Sequence, residues 1–162
     1  MAILMTGNVY IKYLKTVLLH KWYVFLECRR LGITWQGVMH DMSKLSPKEF
    51  FASARYYGGD GNAEIPYMIA WMHHKGHNPH HWEYWVDWNT ETGECILMQI
   101  PKRYLKETLA DLIGASKAYN KGKFDRREPY DYFMAHAENW RICREDYLWL
   151  ERRLKEYAGI EL

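Results

Sequence analysis

The stretch "VMHDMSKLSPKEF", residues 38–50, sets an imidazole, a carboxylate and an ammonium close together as His40, Asp41 and Lys44. In a helix His40 and Lys44 share a face at i and i+4, with Asp41 turned about a third of the way round, so the three heads can converge on one cavity. Seven of the eight histidines lie between positions 20 and 81: His20, His40, His73, His74, His77, His80 and His81. Asp111 follows in "ETLADLIGASKAY", where its same-face neighbours Thr108, Gly114, Ala115 and Ala118 are small. They leave room beside the carboxylate for a close helix or for a metal. Neutral imidazole and carboxylate are the ligands that zinc, iron and manganese accept, and a two-metal site needs about six such groups from different elements.

Taken singly, each group has a plainer explanation. His20 reads as a hydrogen-bonded core histidine, His40-Asp41 as a surface pair, and His73-His74 as helix-end residues favoured by the C-terminal dipole. Asp111 alone reads as an intrahelical hydrogen-bonding residue. Their joint occurrence favours a site for one or two divalent transition metals, drawn from Mn, Fe, Co, Zn or Ni. His77 and His136 read instead as surface or supporting hydrogen-bonding residues.

Helices must position these groups. A first helix is expected from about Val9 to Leu31, stopping at Gly32, with His20 on the inward face of Val17 and Val24. A short second helix carries Trp35, Val38, Met39 and the His40-Asp41 pair. Ser46-Pro47-Lys48-Glu49 supplies an N-cap, a first-turn proline and a capping-box glutamate for a third helix through about Arg55. After the loop "YYGGDGN", a helix spans about Glu64 to Lys75 and ends at Gly76. "HNPHHWEYW" is irregular, because Pro79 disfavours helix at Asn78. "WVDW" and "CILMQI", separated by "NTETGE", form a small β-hairpin. Pro101 opens a helix through about Tyr119, and one long helix covers about Tyr130 to Tyr157. The expectation is mainly α, a single helical domain over residues 1–162 with a small hairpin.

The formal charge is only +2 with acids and bases interspersed, so polymeric nucleic acid is a poor partner, while a small anionic ligand fits. Cys28, Cys95 and Cys143 are odd in number and lack CxxC spacing, which argues against a disulfide framework or a cysteine zinc site and for a reducing cytoplasm. The apolar N-terminal run is interrupted by Lys12, Lys15, His20, Lys21 and Glu27, too often for a membrane span or a signal segment.

The order His20, His40-Asp41, histidines at 73 to 81 and then Asp111 resembles the HD-domain superfamily of metal-dependent phosphohydrolases, a helical fold whose members bind one or two metals. "HDMSK" is similar to the HD-x-[GS]-K version of its HD-GYP cyclic-dinucleotide phosphodiesterases, "HH" at 73–74 to their paired histidines, and "LADLIGA" to the helix bearing their last aspartate. No GYP follows the pair here. "HHKGHNPHHWEYW" and "ADLIGA" are also similar to a group of small bacterial and phage proteins. The likeness covers roughly residues 15 to 120.

The resemblance implies that Asp41 bridges two metals or binds the first, with His20, His40 and Asp111 completing that site. One of His73 or His74 and one of His80 or His81 would hold a second ion. It implies metal-activated water acting on a small phosphorylated substrate of nucleotide type, with Lys44 neutralising developing charge and Trp82, Tyr84 and Trp85 offering stacking surfaces. Two alternatives share these ligands: a di-iron oxygenase similar to myo-inositol oxygenase, and a member that binds a nucleotide or partner without turnover.

Overall fold

In the computed structural model, which describes residues 3–120 and 123–161, the first helix, α1, is Ile3–Arg30. Gly32, at φ +74°, ends it in the left-handed conformation that glycine adopts without a Cβ penalty. The chain turns back into α2, Thr34–Met39. The two helices touch at Gly37, where a Cβ would lie 2.7 Å from the Cβ of Cys28.

The second helix stops at Met39, before the His40-Asp41 pair expected on it. His40 is its C-cap at ψ 129°, outside the helix, and Asp41 is left-handed at φ 53°, the one non-glycine residue with positive φ among those described. Hence His40 and Lys44 are not helical i, i+4 neighbours. The kink turns the Asp41 side chain inward, and Lys44 returns to it from the 3₁₀ turn Met42–Leu45. Aspartate tolerates this conformation better than most residues, although it still carries local strain.

Helix α3, Pro47–Tyr57, starts with Pro47 in its first turn and with Ser46 accepting from the Glu49 backbone N–H at 3.4 Å. The Glu49 carboxylate does not close the expected capping box. It is buried and bonds to Ser43, His73 and His74. Helix α4, Glu64–His77, continues through Gly76 and ends at Asn78, whose extended backbone is what a following proline demands. A 3₁₀ turn, Trp82–Trp85, leads into an antiparallel hairpin of β1, Val86–Trp88, and β2, Cys95–Leu97, with Val86 opposite Leu97.

Helix α5, Lys102–Tyr119, lies along α1 and carries one face of the core. Leu105, Leu109 and Ile113 pack with Phe133, Leu150 and Leu154 from the C-terminal segment. That segment is two helices, α6, Glu128–Ala135, and α7, Arg144–Ala158, instead of the single one expected. The 3₁₀ turn Ala137–Asn139 separates them, and Phe133 before it and Leu150 after it both reach the same core. The result is mainly α, with seven α-helices and one two-stranded sheet among the described residues. None of those helices is long and apolar enough to cross a membrane.

The α1–α5 approach is closest at Gly114, where an added Cβ would stand 2.5 Å from Val24 Cγ2 and 2.9 Å from Val24 N. Gly114 sits one turn after Asp111, and Val24 one turn after His20. Gly114→Ala gains about 1 kcal/mol of helix propensity but meets backbone that must move, at a cost of roughly 1–3 kcal/mol. We expect net destabilisation, seen as a melting temperature lowered by a few degrees, and weaker metal uptake because His20 and Asp111 separate. An unchanged melting temperature and metal affinity would show that the helices can part at no cost.

Candidate metal centre

Four elements and one loop bring the polar groups together. His20 comes from α1, the His40-Asp41 kink follows α2, His74 stands on the last turn of α4, His80 and His81 lie on the loop beyond it, and Asp111 projects from α5. His20, His40, Asp41, His74 and His80 are almost fully buried.

Asp41 is at the centre. Its Oδ2 lies 3.4 Å from Nε2 of both His20 and His40. Its Oδ1 lies 3.3 Å from His74 Nε2 and 3.4 Å from His80 Nε2. Asp111 Oδ1 closes the first side at 3.1 Å from His20 Nε2 and 3.6 Å from His40 Nε2, while its Oδ2 stands 3.8 Å from His80 Nε2. Two ligand-like groups therefore share Asp41: His20 and His40 face one oxygen, His74 and His80 face the other, and His81 lies close enough to join the second group. His73 is not among the converging residues; its Nδ1 lies 2.7 Å from Glu49 on the outer side of α4. His77 bonds back to the His73 carbonyl and is exposed.

Two glutamates orient these imidazoles from outside. Glu107 Oε1 lies 2.9 Å from His40 Nδ1 and 3.2 Å from His80 Nδ1. Glu49 Oε2 lies 2.9 Å from His74 Nδ1. With Nδ1–H donated to a carboxylate, each ring turns a lone pair on Nε2 toward the middle, the tautomer that a metal-binding histidine needs. The loop is fixed as firmly: the Thr108 hydroxyl donates to the His80 carbonyl at 2.6 Å, Asn78 Nδ2 to the His74 carbonyl at 2.7 Å, and Trp85 Nε1 to the Pro79 carbonyl at 2.7 Å. Lys21 donates to the carbonyl of His40.

The inward atoms are the ones left without partners. Asp41 Oδ1 and Nε2 of His74, His80 and His81 are buried and make no hydrogen bond. Buried polar atoms are rarely left so, and these four lie close enough together to hold one metal ion. The electrostatics agree. Burial opposes charge on both partners, yet the His40 and Lys44 cations hold the Asp41 carboxyl well below its usual range. In turn Asp41, Asp111 and Glu107 overcome burial to raise His40 to about 10. Burial and the neighbouring His80 push His81 the other way, well below the usual imidazole value. Lys44, 2.6 Å from Asp41 Oδ2, is raised because Asp41 and Asp111 outweigh its desolvation.

Of the aromatic residues expected at the site, Trp82 borders the cavity above the cluster, Trp85 packs against the core, and Tyr84 is exposed and outside it. The cavity wall is supplied instead by Tyr13, Tyr57, Tyr67, Trp71 and Tyr119.

Fold and site together define a helical protein with a buried cluster of imidazoles and carboxylates suited to metal. Residues 10–156 match the model of DUF5662, a family of unknown function, and the chain belongs to that family. No curated protein and no solved structure matches it.

Proposed function

We propose that the cluster is a two-metal centre of the HD-domain type, and that the protein hydrolyses a small, nucleotide-like phosphoester. The observation that carries this reading is the set of inward-facing Nε2 and Oδ atoms without partners, with the His74 and His80 rings already fixed from behind by Glu49 and Glu107. His20, His40, Asp41 and Asp111 would hold one ion; Asp41, His74, His80 and His81 would hold the other. When bound, such ions supply Lewis acidity toward phosphoryl oxygens and water acidic enough to ionise near neutral pH.

The chain's own residues do the rest. Asp41 and Asp111 fix the positions at which charge is concentrated, and the buried imidazoles exclude bulk water from beneath the phosphoryl group. Lys44 stands at the cavity edge with a proton held firmly on Nζ. It can donate a hydrogen bond to a phosphoryl oxygen or to the departing ester oxygen. In the overall reaction the oxygen of water bonds to phosphorus, the P–O ester bond breaks, and the leaving oxygen takes up the proton that water lost. The near-neutral surface favours a free small molecule over DNA or RNA.

Elemental analysis of the purified protein, with anomalous density from crystals, should find two transition metals per chain. A panel of nucleotides and cyclic nucleotides assayed with Mn²⁺, Fe²⁺, Co²⁺, Zn²⁺ and Mg²⁺ should reveal phosphate release. Lys44→Met should lower turnover at least about tenfold while both metals remain, the size expected for loss of one electrostatic donor. Phosphoesterase silence with every metal, joined to oxygen uptake by the iron form, would transfer the site to oxygenase chemistry.

A further inference from the structure

The cavity above the cluster has a volume of about 790 Å³, well within the range of small-molecule sites. Its charge is unusual for a phosphate-binding pocket. Among the described residues that line it, Lys44 is the single lysine or arginine, and Lys44 is already paired with Asp41. The outer parts carry acids instead. Glu83 pairs with Lys75 at 3.2 Å, and Glu128, on α6, borders the far end beside Asn120, whose side-chain amide donates to it.

Between the cluster and that end the wall is aromatic and neutral. The Tyr56 and Tyr67 rings stack at 4.0 Å, Tyr57 and Tyr67 share a hydroxyl hydrogen bond of 2.9 Å, and Tyr13 stacks on Tyr57 at 6.0 Å. The rings hold one another in place, while Tyr57 and Tyr119 remain more than half exposed. They form a preset surface for a flat ring.

The charge balance limits what can enter. Two divalent ions would be offset in total by the four carboxylates of Asp41, Asp111, Glu49 and Glu107, so that the cluster with Lys44 carries a net charge of about one positive unit. A single phosphoryl group is matched there. A second or third would extend toward Glu83, Glu128 and the imidazole of His136; among the described lining residues none there is a lysine or arginine, and the Lys75 ammonium beside Glu83 is already paired with it.

Resting on the two-metal reading, we propose that the substrate is a phosphomonoester with one phosphoryl group on an uncharged, ring-bearing body. Nucleoside monophosphates belong to this class; nucleoside di- and triphosphates and cyclic dinucleotides do not.

The test is titration calorimetry of metal-loaded protein with adenosine 5′-O-thiomonophosphate, ADP, ATP and glycerol 3-phosphate, with phosphate release from AMP followed separately. The thiomonophosphate should bind at least about tenfold more tightly than ADP or ATP, a margin within what one adverse charge contact supplies in a partly desolvated site. It should also exceed the ringless glycerol phosphate. Glu128→Lys should raise ADP affinity relative to the monophosphate several-fold. Equal or tighter binding of ADP or ATP, or a ratio unmoved in Glu128→Lys, overturns the assignment of charge selection to this cavity; glycerol phosphate binding as tightly as the thiomonophosphate overturns the ring requirement. A chain that takes up no metal would defeat the two-metal reading itself, whereas one that binds two metals and prefers polyphosphates would defeat only the substrate inference.

Discussion

Replacing Asp41 by Asn should reduce bound metal from two ions per chain to none and abolish phosphate release. Each carboxylate oxygen serves a different imidazole group: Oδ2 faces His20 and His40, and Oδ1 faces His74 and His80. An amide keeps the shape and tolerates the left-handed backbone at φ 53°, but it loses the charge and offers one acceptor only. Loss of the shared anion therefore damages both positions together. Ligand-free stability is a separate matter, and Asp41→Gly separates the two. Glycine relieves the backbone strain, so the metal-free Gly variant should melt no lower than the Asn variant, yet bind no more metal. Wild-type protein should gain about 2.7 kcal/mol at a metal concentration 100 times Kd, and neither variant should show that gain. Two ions retained by either variant would rule out a bridging Asp41.

Much of this arrangement is legible in the sequence because His20 and Asp111 sit on helices whose faces can be phased from small or apolar neighbours. Val17 and Val24 point His20 inward, and Gly114 announces the close helix beside Asp111. The conformation of the His40-Asp41 pair is not legible. A helical continuation and a left-handed kink are both compatible with "GVMHDMSK", and only the tertiary position of the cluster decides between them.

The choice between His73 and His74 is obscured by the pattern of α4 itself. Ile65, Met68, Ile69 and Met72 form a stripe at helical spacing, which by pattern alone would be the buried face. All four are more than half exposed, and the buried positions are Ala70 and His74. The site, rather than apolar burial, sets the rotation of this helix. The bonding of Glu49 to His74 is not legible, because Ser46-Pro47-Lys48-Glu49 already has a complete local explanation as a cap. Glu107 lies four residues before Asp111 and hence on its face, a signal that was available in the spacing.

Those two glutamates should differ sharply when replaced. Glu107 uses a single oxygen, Oε1, to hold His40 on one side of the centre and His80 on the other. Glu49 holds His74 and His73, and of these only His74 faces the centre. Removing an acceptor that orients a ligand typically costs 10- to 100-fold in metal affinity. Glu107→Ala should therefore weaken both ions by about that factor, whereas Glu49→Ala should weaken only the ion held by His74, His80 and His81. At limiting metal, elemental analysis should find close to no ions in the first variant and one in the second. Glu107→Gln keeps an oxygen that both Nδ1–H groups can reach, so it should recover much of the occupancy that alanine loses, while its lost charge lowers affinity uniformly. Circular dichroism and melting of the metal-free variants check that the helices persist, since the burial of Glu107 makes unfolding the competing explanation. If Glu107→Ala lost one ion only, or if Glu49→Ala lost both, the two imidazole groups would not be organised around a shared Asp41 and a shared Glu107.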